Sequence, residues 1–268
     1  MTMQPFHFTP GRGPVLVSMP HVGVDLPPEV AAGLTDAARK LPDTDWHVDR
    51  LYDFLGEFDC SLIRARHSRY LIDLNRGAAG KALYPGQSET ELCPTTGFDS
   101  RPLYQPGQTP GPEEVQRRKQ IYWRPYHDRI RTELTRIKHE YGYAILWDAH
   151  SIQSRVPRFF EGRLPDLNIG TADGASCAPA LAEMLLETGA KSGFSTVLNG
   201  RFKGGYITRH YGDPQNNIHA VQLEIAQITY MDEAPTFQFR EERAEMLRPL
   251  LREMMTRAAG FLDQHRPA

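Results

Sequence analysis

The sequence predicts an α/β fold, because short apolar segments alternate with longer amphipathic ones along its 268 residues. Several apolar segments are hydrophobic on both faces, which is typical of central strands covered by helices. The alternation stops between Arg76 and Pro112, where six prolines and six glycines disfavour both helix and strand. We expect this stretch to be a binding loop or a disordered insertion. Since no segment resembles a flexible linker, we predict one domain over residues 1–268.

The individual elements follow from the same pattern. We predict strands over residues 14–19, 61–65, 70–74, 143–147, 167–170, 196–198 and 221–225. We predict helices over residues 28–37, 46–57, 112–140, 178–188 and 240–265. The first helix has Pro27 and Pro28 near its start, where a missing amide hydrogen costs little. The third contains Pro125, so we expect a kink or a break there.

The charge balance excludes some classes of partner. The chain has 31 Lys and Arg residues against 33 Asp and Glu residues, so no basic excess is present to bind nucleic acid or an anionic membrane. No apolar run approaches the roughly 20 residues of a membrane span, and the N-terminal segment does not resemble a signal peptide. The three cysteines are isolated, so we expect a reduced, cytoplasmic protein. A small-molecule substrate is the default expectation, and the oligomeric state stays open.

Two histidines follow apolar strands at positions where an α/β sheet gathers its functional groups. His21 comes after the segment VLVSMP, and His150 comes after AILWDA. Two imidazoles presented in this way suit a zinc-type ion. The alternative is that each histidine is simply hydrogen-bonded at the end of its strand.

A catalytic metal site needs a third protein ligand, and two carboxylates near the start of one helix are candidates. Asp45 would lie near the N-cap of the helix predicted over residues 46–57, and Asp49 would lie about one turn later. The alternatives are that Asp45 only caps the helix and that Asp49 is a solvated surface charge. Pattern alone leaves the choice between them open.

Glu224 is a candidate general base because it lies inside the apolar segment VQLEIAQI. Burial without a partner would raise the pKa of its carboxyl group toward the range that proton transfer to and from water requires. An ordinary salt bridge within the sheet is the alternative.

Several arginines stand beside the candidate catalytic positions and would suit a dicarboxylate substrate, because a guanidinium binds a carboxylate through two parallel hydrogen bonds. Arg76 follows Asn75 in the segment LIDLNR, Arg155 follows the His150 loop, and Arg209 lies in GGYITRHYG. In the last segment, His210 would polarise a carbonyl or stabilise an oxyanion. Each of these residues could equally be an ordinary surface or loop residue.

Taken together, the segments SMPHVG, DTDWHVDRLYDF, SRYLIDLNR, YPGQSETELCPT, WDAHS, GGYITRHYG and QLEIAQITYM resemble, in their order, the N-formylglutamate amidohydrolases. The resemblance covers nearly the whole chain from about Pro14. It implies a three-layer α/β/α domain around a mixed, mostly parallel sheet, similar to that of zinc-dependent exopeptidases. It also implies metal-dependent hydrolysis of N-formyl-L-glutamate to formate and L-glutamate, in histidine degradation.

The resemblance further implies the roles of individual residues. His21 and His150 match the metal-binding histidines of the family, and Asp45 is the best match to the acidic ligand, with Asp49 as the alternative. Glu224 resembles the catalytic glutamate, and His210 falls in a segment typical of the family. The substrate-binding residues implied are Asn75, Arg76, Arg155, Tyr206 and Arg209. The implied cofactor is one divalent metal ion, zinc first, with cobalt, manganese and iron as alternatives.

Two other functions remain open on the sequence. One is a metal-dependent hydrolase of another N-acyl amino acid or a small peptide. The other is a relative that binds a metal or a ligand without turnover. The sequence lacks a GxSxG, GxGxxG or GxxxxGK[ST] motif, which disfavours a serine hydrolase and a nucleotide-binding protein.

Overall fold

The computed structural model describes residues 4–80, 86 and 88–261. Within them, a seven-stranded sheet has the order β1-β3-β2-β4-β7-β5-β6. The strands are β1 Phe6–Thr9, β2 Val15–Met19, β3 Ser61–Ala65, β4 Ala144–Ile152, β5 Leu167–Gly170, β6 Thr196–Leu198 and β7 Ile218–Ala226. Strands β3, β2, β4 and β7 are mutually parallel, whereas β1 is antiparallel to β3 and β5 is antiparallel to β7. The predicted mixed, mostly parallel sheet is therefore confirmed.

Seven α-helices cover the sheet in the described part of the chain. They are α1 Pro28–Gly33, α2 Val48–Leu51, α3 Pro112–Arg118, α4 Arg124–Tyr141, α5 Pro179–Ala190, α6 Tyr206–Tyr211 and α7 Glu241–Gly260. Helices α2, α5 and α7 share one hydrophobic core with one face of the sheet, while α4 and α6 pack on the other face. This is the expected three-layer α/β/α arrangement.

The two cores follow from the alternation of side chains along the parallel strands. In β4, Ile145 and Trp147 enter the core beneath α5 and α7, whereas Ala144 and Leu146 enter the core beneath α4. All nine residues of β4 are buried. Both faces of the central strands are therefore covered, as the doubly apolar segments predicted.

The helix near Pro125 is distorted and not broken, because the residues that join its parts keep right-handed helical dihedral angles. Helix α3 ends at Arg118, a π-helical turn follows over Lys119–Trp123, and α4 begins with Pro125 in its first turn. Proline has no amide hydrogen to donate to the preceding turn, so it begins a helix more readily than it continues one.

Three predicted elements were wrong in type or length. Residues 70–74, predicted as a strand, form turns, because Arg69 and Asp73 pair across them at 2.6 Å. The helix predicted over residues 46–57 contains only the short α2 and a 3-10 helix over Asp53–Glu57, because His47 adopts a left-handed conformation with φ 62°. Helix α1 ends at Gly33, short of the predicted residue 37.

Other boundaries also differ from prediction. Strands β4 and β7 each extend to nine residues, so His150 lies within β4 and not beyond its end. Strand β1 was not predicted; it is a four-residue edge strand. Helix α7 ends at Gly260 within the described residues, and the rest of its predicted range, residues 262–265, lies outside them.

The described residues between Arg76 and Pro112 form turns and isolated bridges, consistent with the predicted loop. Over the described residues, no helix is both long and apolar enough to cross a membrane.

Candidate active site

Polar side chains replace apolar ones toward the carboxyl ends of the three central strands, on the sheet face that α4 and α6 cover. Leu16, Leu146 and Ala220 lie in the core at the other end of this face. Further along the same strands the register pairs Ser18 with Asp148, Asp148 with Gln222, and His150 with Glu224. Because alternate residues of a strand share a face, the sheet places these groups side by side.

His21, Asp45 and His150 form a buried group whose ligand atoms all lie within 4.8 Å of one another. His21 follows the end of β2, and its Nδ1 lies 3.7 Å from Asp45 Oδ2. Nδ1 of His150 lies 3.1 Å from the same carboxylate oxygen. The three residues that the sequence marked as metal ligands therefore converge, and this donor set is one that could hold a divalent ion.

Each histidine is oriented by a second carboxylate behind it. Nε2 of His21 lies 2.7 Å from Asp73 Oδ1, and Nε2 of His150 lies 3.1 Å from Asp148 Oδ2. When the imidazole of His21 is neutral, a proton on Nε2 bonded to Asp73 leaves the lone pair of Nδ1 facing Asp45. Metal-binding histidines in proteins are oriented by the same kind of outer carboxylate.

The charge around these histidines also suits a cation. Burial alone lowers the pKa of His150, but the carboxylates of Asp148 and Asp45 outweigh it and raise the pKa well above the ordinary value. Burial by itself raises the pKa of Asp45, yet its contacts with His150 and His21 bring it below the ordinary value. Buried carboxylates that draw positive charge to one position are the electrostatic requirement for a metal site.

Asp45 is held by backbone and by neighbouring side chains, and not by capping a helix. No side chain caps α2, and Asp45 Oδ2 instead accepts the backbone N–H of Ser151 at 3.1 Å. Gln227 donates to Thr44 O at 3.0 Å, and Tyr230 donates to Trp46 O at 2.8 Å, which anchors the segment on both sides of Asp45.

Asp49, the alternative ligand, lies on the surface. Its Oδ2 is 3.3 Å from an Arg64 nitrogen, and both side chains are more than a third exposed. The structure therefore places Asp45 in the group that could hold an ion and leaves Asp49 as a surface ion pair.

Glu224 lines the same pocket as His21, Asp45 and His150, and it is 7% exposed. Burial raises the pKa of its carboxyl group more than any other influence. His150 lowers this pKa and Asp45 raises it, and the net result is a pKa of about 7. Oε2 of Glu224 accepts a hydrogen bond from Gln222 Nε2 at 3.0 Å. The expected buried glutamate is present, and no salt bridge holds it among the described residues.

The group of His21, Asp45 and His150 lines one pocket together with Glu224. Three arginines line its wall together with the rings of Phe98, Phe159 and Phe202; they are Arg69, Arg76 and Arg201. Cations beside aromatic rings in one pocket wall suit an anion with a short apolar body.

The three arginines differ in their contacts. Arg69 is buried and donates to Asp73 Oδ2 at 2.6 Å, so it belongs to the support of His21. Arg76 donates from Nε to Thr90 O at 2.9 Å and from another nitrogen to Asn75 O at 3.2 Å. Arg201 lies on the loop between β6 and α6, where Phe159 O accepts its Nε–H and the guanidinium lies 5.3 Å from the Phe202 ring centre.

Asn75 connects the two sides of the pocket. Its Oδ1 accepts the backbone N–H of Ile207 at 2.8 Å, and its Nδ2 lies 3.1 Å from His150 Nε2. The predicted substrate-binding residues Asn75 and Arg76 therefore both line the pocket.

Four other predicted site residues do not line it. Arg155 is exposed on a neighbouring cavity, and Arg209 donates to Gly204 O at 2.8 Å. Tyr206 and His210 lie one turn apart on α6 and stack on each other with ring centres 4.8 Å apart. Their roles stay predictions that the geometry of the pocket does not support.

The α6 aromatic rings instead support the turn that carries Asn75 and Arg76. A Cβ on Gly77 would lie only 3.1 Å from the Tyr206 ring, so this ring packs directly under the turn. Trp123 donates to Arg76 O at 2.8 Å, and His127 Nε2 lies 2.9 Å from Leu74 O.

The sequence reasoning missed four residues of the site. Asp73 and Asp148 stand in the quoted segments LIDLNR and WDAHS, and an acidic residue two positions before His150 on one strand face was the available signal for Asp148. Gln222 likewise stands two positions before Glu224, on the same face of its strand, and this spacing was the available signal for it. Arg201 lies in an irregular loop with no periodicity, so the sequence contained no comparable signal for it.

One arginine ties the Pro/Gly-rich loop to the pocket. Arg158, from the segment after β4, donates to Ser88 Oγ at 3.1 Å, to Glu89 O at 3.2 Å and to Thr96 Oγ1 at 3.0 Å. Ser88 and Glu89 line the pocket, so the described part of this loop contributes to its wall.

The chain is similar to known proteins over most of its length. The family model for N-formylglutamate amidohydrolase matches residues 13–231. The chain belongs to this family. It is 55% identical over 249 residues to an N-formylglutamate deformylase of Pseudomonas aeruginosa, covering 92% of this chain and 93% of that protein. It is 51% identical over 249 residues to an N-formylglutamate deformylase of Pseudomonas putida, with the same coverage.

A solved structure supports the fold. The crystal structure of N-formylglutamate amidohydrolase from Ralstonia eutropha matches with a TM-score of 0.82 at 24% identity, and the match covers 98% of this chain and 100% of that one. The three-layer architecture is therefore shared within the N-formylglutamate amidohydrolase family.

Proposed function

We propose that this protein hydrolyses the formamide bond of N-formyl-L-glutamate to formate and L-glutamate, as a metal-dependent step in histidine degradation. The main support is the convergence of His21, Asp45, His150 and Glu224 in one pocket that arginines also line. The identity of 55% to a deformylase supports the choice of substrate.

His21, Asp45 and His150 would hold one divalent ion, for which we propose zinc, with cobalt, manganese or iron as alternatives. The donor set fits, because two nitrogens and one carboxylate oxygen face one another and outer carboxylates orient both rings. Such an ion, when bound, would supply Lewis-acid polarisation of a carbonyl and a lowered pKa for water.

Glu224 would move the proton. Its pKa of about 7 allows the carboxylate to accept a proton from the attacking water and to return it to the departing glutamate nitrogen. This transfer neutralises the leaving amine, which would otherwise depart as an unstable anion. General acid–base catalysis of this kind contributes typically 10²- to 10⁴-fold.

The arginines would select a substrate with two carboxylates. Arg69 forms an ion pair with the carboxylate of Asp73, which neutralises its charge. Arg76 donates to carbonyl and hydroxyl oxygens, and we assign Arg76 and Arg201 to the substrate carboxylates. They come from different segments of the chain, on the Asn75 turn and on the loop after β6. Two separate cations suit two separate carboxylates.

The first experiment measures formate release from N-formyl-L-glutamate by the purified protein, after chelation and again after zinc or cobalt is restored. We expect turnover only with metal, and much slower release of acetate from N-acetyl-L-glutamate. Absence of formate release with every metal would show that the proposed substrate is wrong, and other N-acyl amino acids would then be compared.

The second experiment tests the arginine assignment by comparing Arg201→Met with the matched variant Arg155→Met. We expect Arg201→Met to raise KM for N-formyl-L-glutamate about 10- to 100-fold, because a charge-assisted bidentate contact is lost. Arg155 lies outside the pocket, so its variant should keep the KM of the wild type. Equal KM values for the two variants would contradict the assignment.

A further inference from the structure

Gln222 lies next to the proposed general base and uses both ends of its side chain. It precedes Glu224 by two residues on β7, so both side chains project from the same face of the strand. Its Nε2 donates to Glu224 Oε2 at 3.0 Å, and its Oε1 accepts the backbone N–H of Gly205 at 2.7 Å. The side chain is buried and lines the pocket.

The contact with Gly205 sets the orientation of the amide. A backbone N–H can only donate, so the atom of Gln222 that faces it must be the oxygen, and the NH₂ group must then face Glu224. An amide rotated by 180° would place two donors against each other at Gly205.

Gly205 is itself held in place. A Cβ at this position would lie 2.5 Å from Cγ of Asn75, so only glycine fits against that amide. Asn75 is fixed in turn by accepting the Ile207 N–H at 2.8 Å. The anchor that orients Gln222 therefore belongs to the same packed unit as the substrate-binding turn.

We infer that Gln222 is the positioning residue of the general base: it fixes Oε2 of Glu224 and leaves Oε1 to exchange protons with water and with the leaving nitrogen. This inference rests on the proposed function. A carboxylate with both oxygens unrestrained would rotate, and misplacement by about 1 Å can cost roughly 100-fold in rate. The amide thus selects which oxygen reacts.

The test is a double-mutant cycle in which Gln222→Met is measured in the wild type and in Glu224→Asp. Methionine keeps the length of the side chain and removes its amide, while aspartate withdraws the carboxylate by one methylene group and so loses the contact. The matched control is Gln227→Met, on the segment after β7, because Gln227 is also buried but donates to Thr44 O and not to Glu224.

In the wild type, we expect Gln222→Met to lower kcat about 10- to 100-fold while KM and the zinc dissociation constant stay within about threefold. In Glu224→Asp, the same substitution should cost less than about threefold in kcat, because the contact is already lost. Gln227→Met should cost the same factor in both backgrounds. Equal losses for Gln222→Met in both backgrounds, or a loss that follows weakened zinc binding, would overturn the inference.

Two further measurements keep the test decisive. If Gln222→Met does not fold, Gln222→Asn takes its place, since it also withdraws the amide from Glu224. If the wild type releases no formate, the proposed function fails, and the same cycle is measured on the urea midpoint of unfolding. Non-additive midpoints would support the positioning contact, and additive midpoints would overturn it.

Discussion

Two buried histidines, His150 and His127, lie near the turn that carries Asn75, and their hydrogen-bond partners differ in charge. His150 has carboxylates near both of its nitrogens, those of Asp45 and Asp148. His127 stacks on Trp123 with ring centres 3.8 Å apart, and its nitrogens face the Tyr211 hydroxyl and a backbone carbonyl. Both rings are almost fully buried.

The pKa values of the two histidines move in opposite directions. Burial is the largest influence on both, and it lowers the pKa of His127 to about 3. For His150 the carboxylates reverse the effect of burial and raise the pKa. Burial therefore does not decide whether a histidine attracts a cation; the charge of its hydrogen-bond partners does.

Removing the carboxylate shared by His21 and His150 should have the largest effect. We expect Asp45→Asn to weaken zinc binding by at least about 100-fold, because one ligand and one negative charge are lost together. Isothermal titration with zinc measures this directly. Zinc affinity equal to that of the wild type would show that Asp45 is not a ligand.

Removing the carboxylate behind His150 should have a smaller effect. Asp148→Asn keeps an acceptor near Nε2 and removes only the charge, so we expect zinc affinity to fall about 10- to 100-fold. Equilibrium dialysis with zinc measures the loss. A larger loss than that of Asp45→Asn would reverse the order of the two carboxylates proposed here.

The histidine among aromatic rings should affect stability and not metal binding. Unfolded His127 binds a proton below about pH 6.5, whereas the folded protein resists protonation of this ring down to about pH 3. Between these values the unfolded state holds the additional proton, so His127 lowers stability as the pH falls. From pH 7 to pH 5, His127 lowers the free energy of unfolding by about 2 kcal/mol.

His127→Gln removes this contribution. We expect the free energy of unfolding in urea to fall from pH 7 to pH 5 by about 2 kcal/mol less in the variant than in the wild type. An identical fall in both proteins would mean that His127 does not resist protonation in the folded state.

The smallest effect is expected at the exposed histidine of α6. His210 stacks on Tyr206 and does not line the pocket, so His210→Ala should change kcat and KM for N-formyl-L-glutamate by less than about threefold. A loss of kcat above about 100-fold would restore the catalytic role that the sequence predicted for it.

The sequence predicted the centre of the site because its residues lie at or near the carboxyl ends of strands. His21, His150 and Glu224 belong to segments whose apolar runs identify β2, β4 and β7, and parallel strands bring such positions to one edge of a sheet. The order of the sheet and the extension of β4 beyond His150 depend on pairing between distant segments. Neither can be read from local periodicity.

The periphery of the site was less predictable, because it depends on irregular segments. Helix α6 buries Ile207 and Tyr211 and thereby turns Tyr206 and His210 away from the pocket. Over six residues, the sequence does not show which face of a helix is covered. Arg201 enters the pocket from a loop whose course follows from close backbone packing at Gly204, and local sequence does not reveal it.

The order of the strands also has a consequence for how the protein is made. Ser18 on β2 and Asp148 on β4 are hydrogen-bonded partners 130 residues apart, and β4 pairs in turn with β7. During synthesis, β2 has no neighbour on that side until β4 leaves the ribosome, and Glu224 is added later still. Pairings of such long range form slowly. The nascent chain therefore lacks the complete group of His21, Asp45 and His150 until β4 has been made, so the ion proposed above could not bind all three residues before that point.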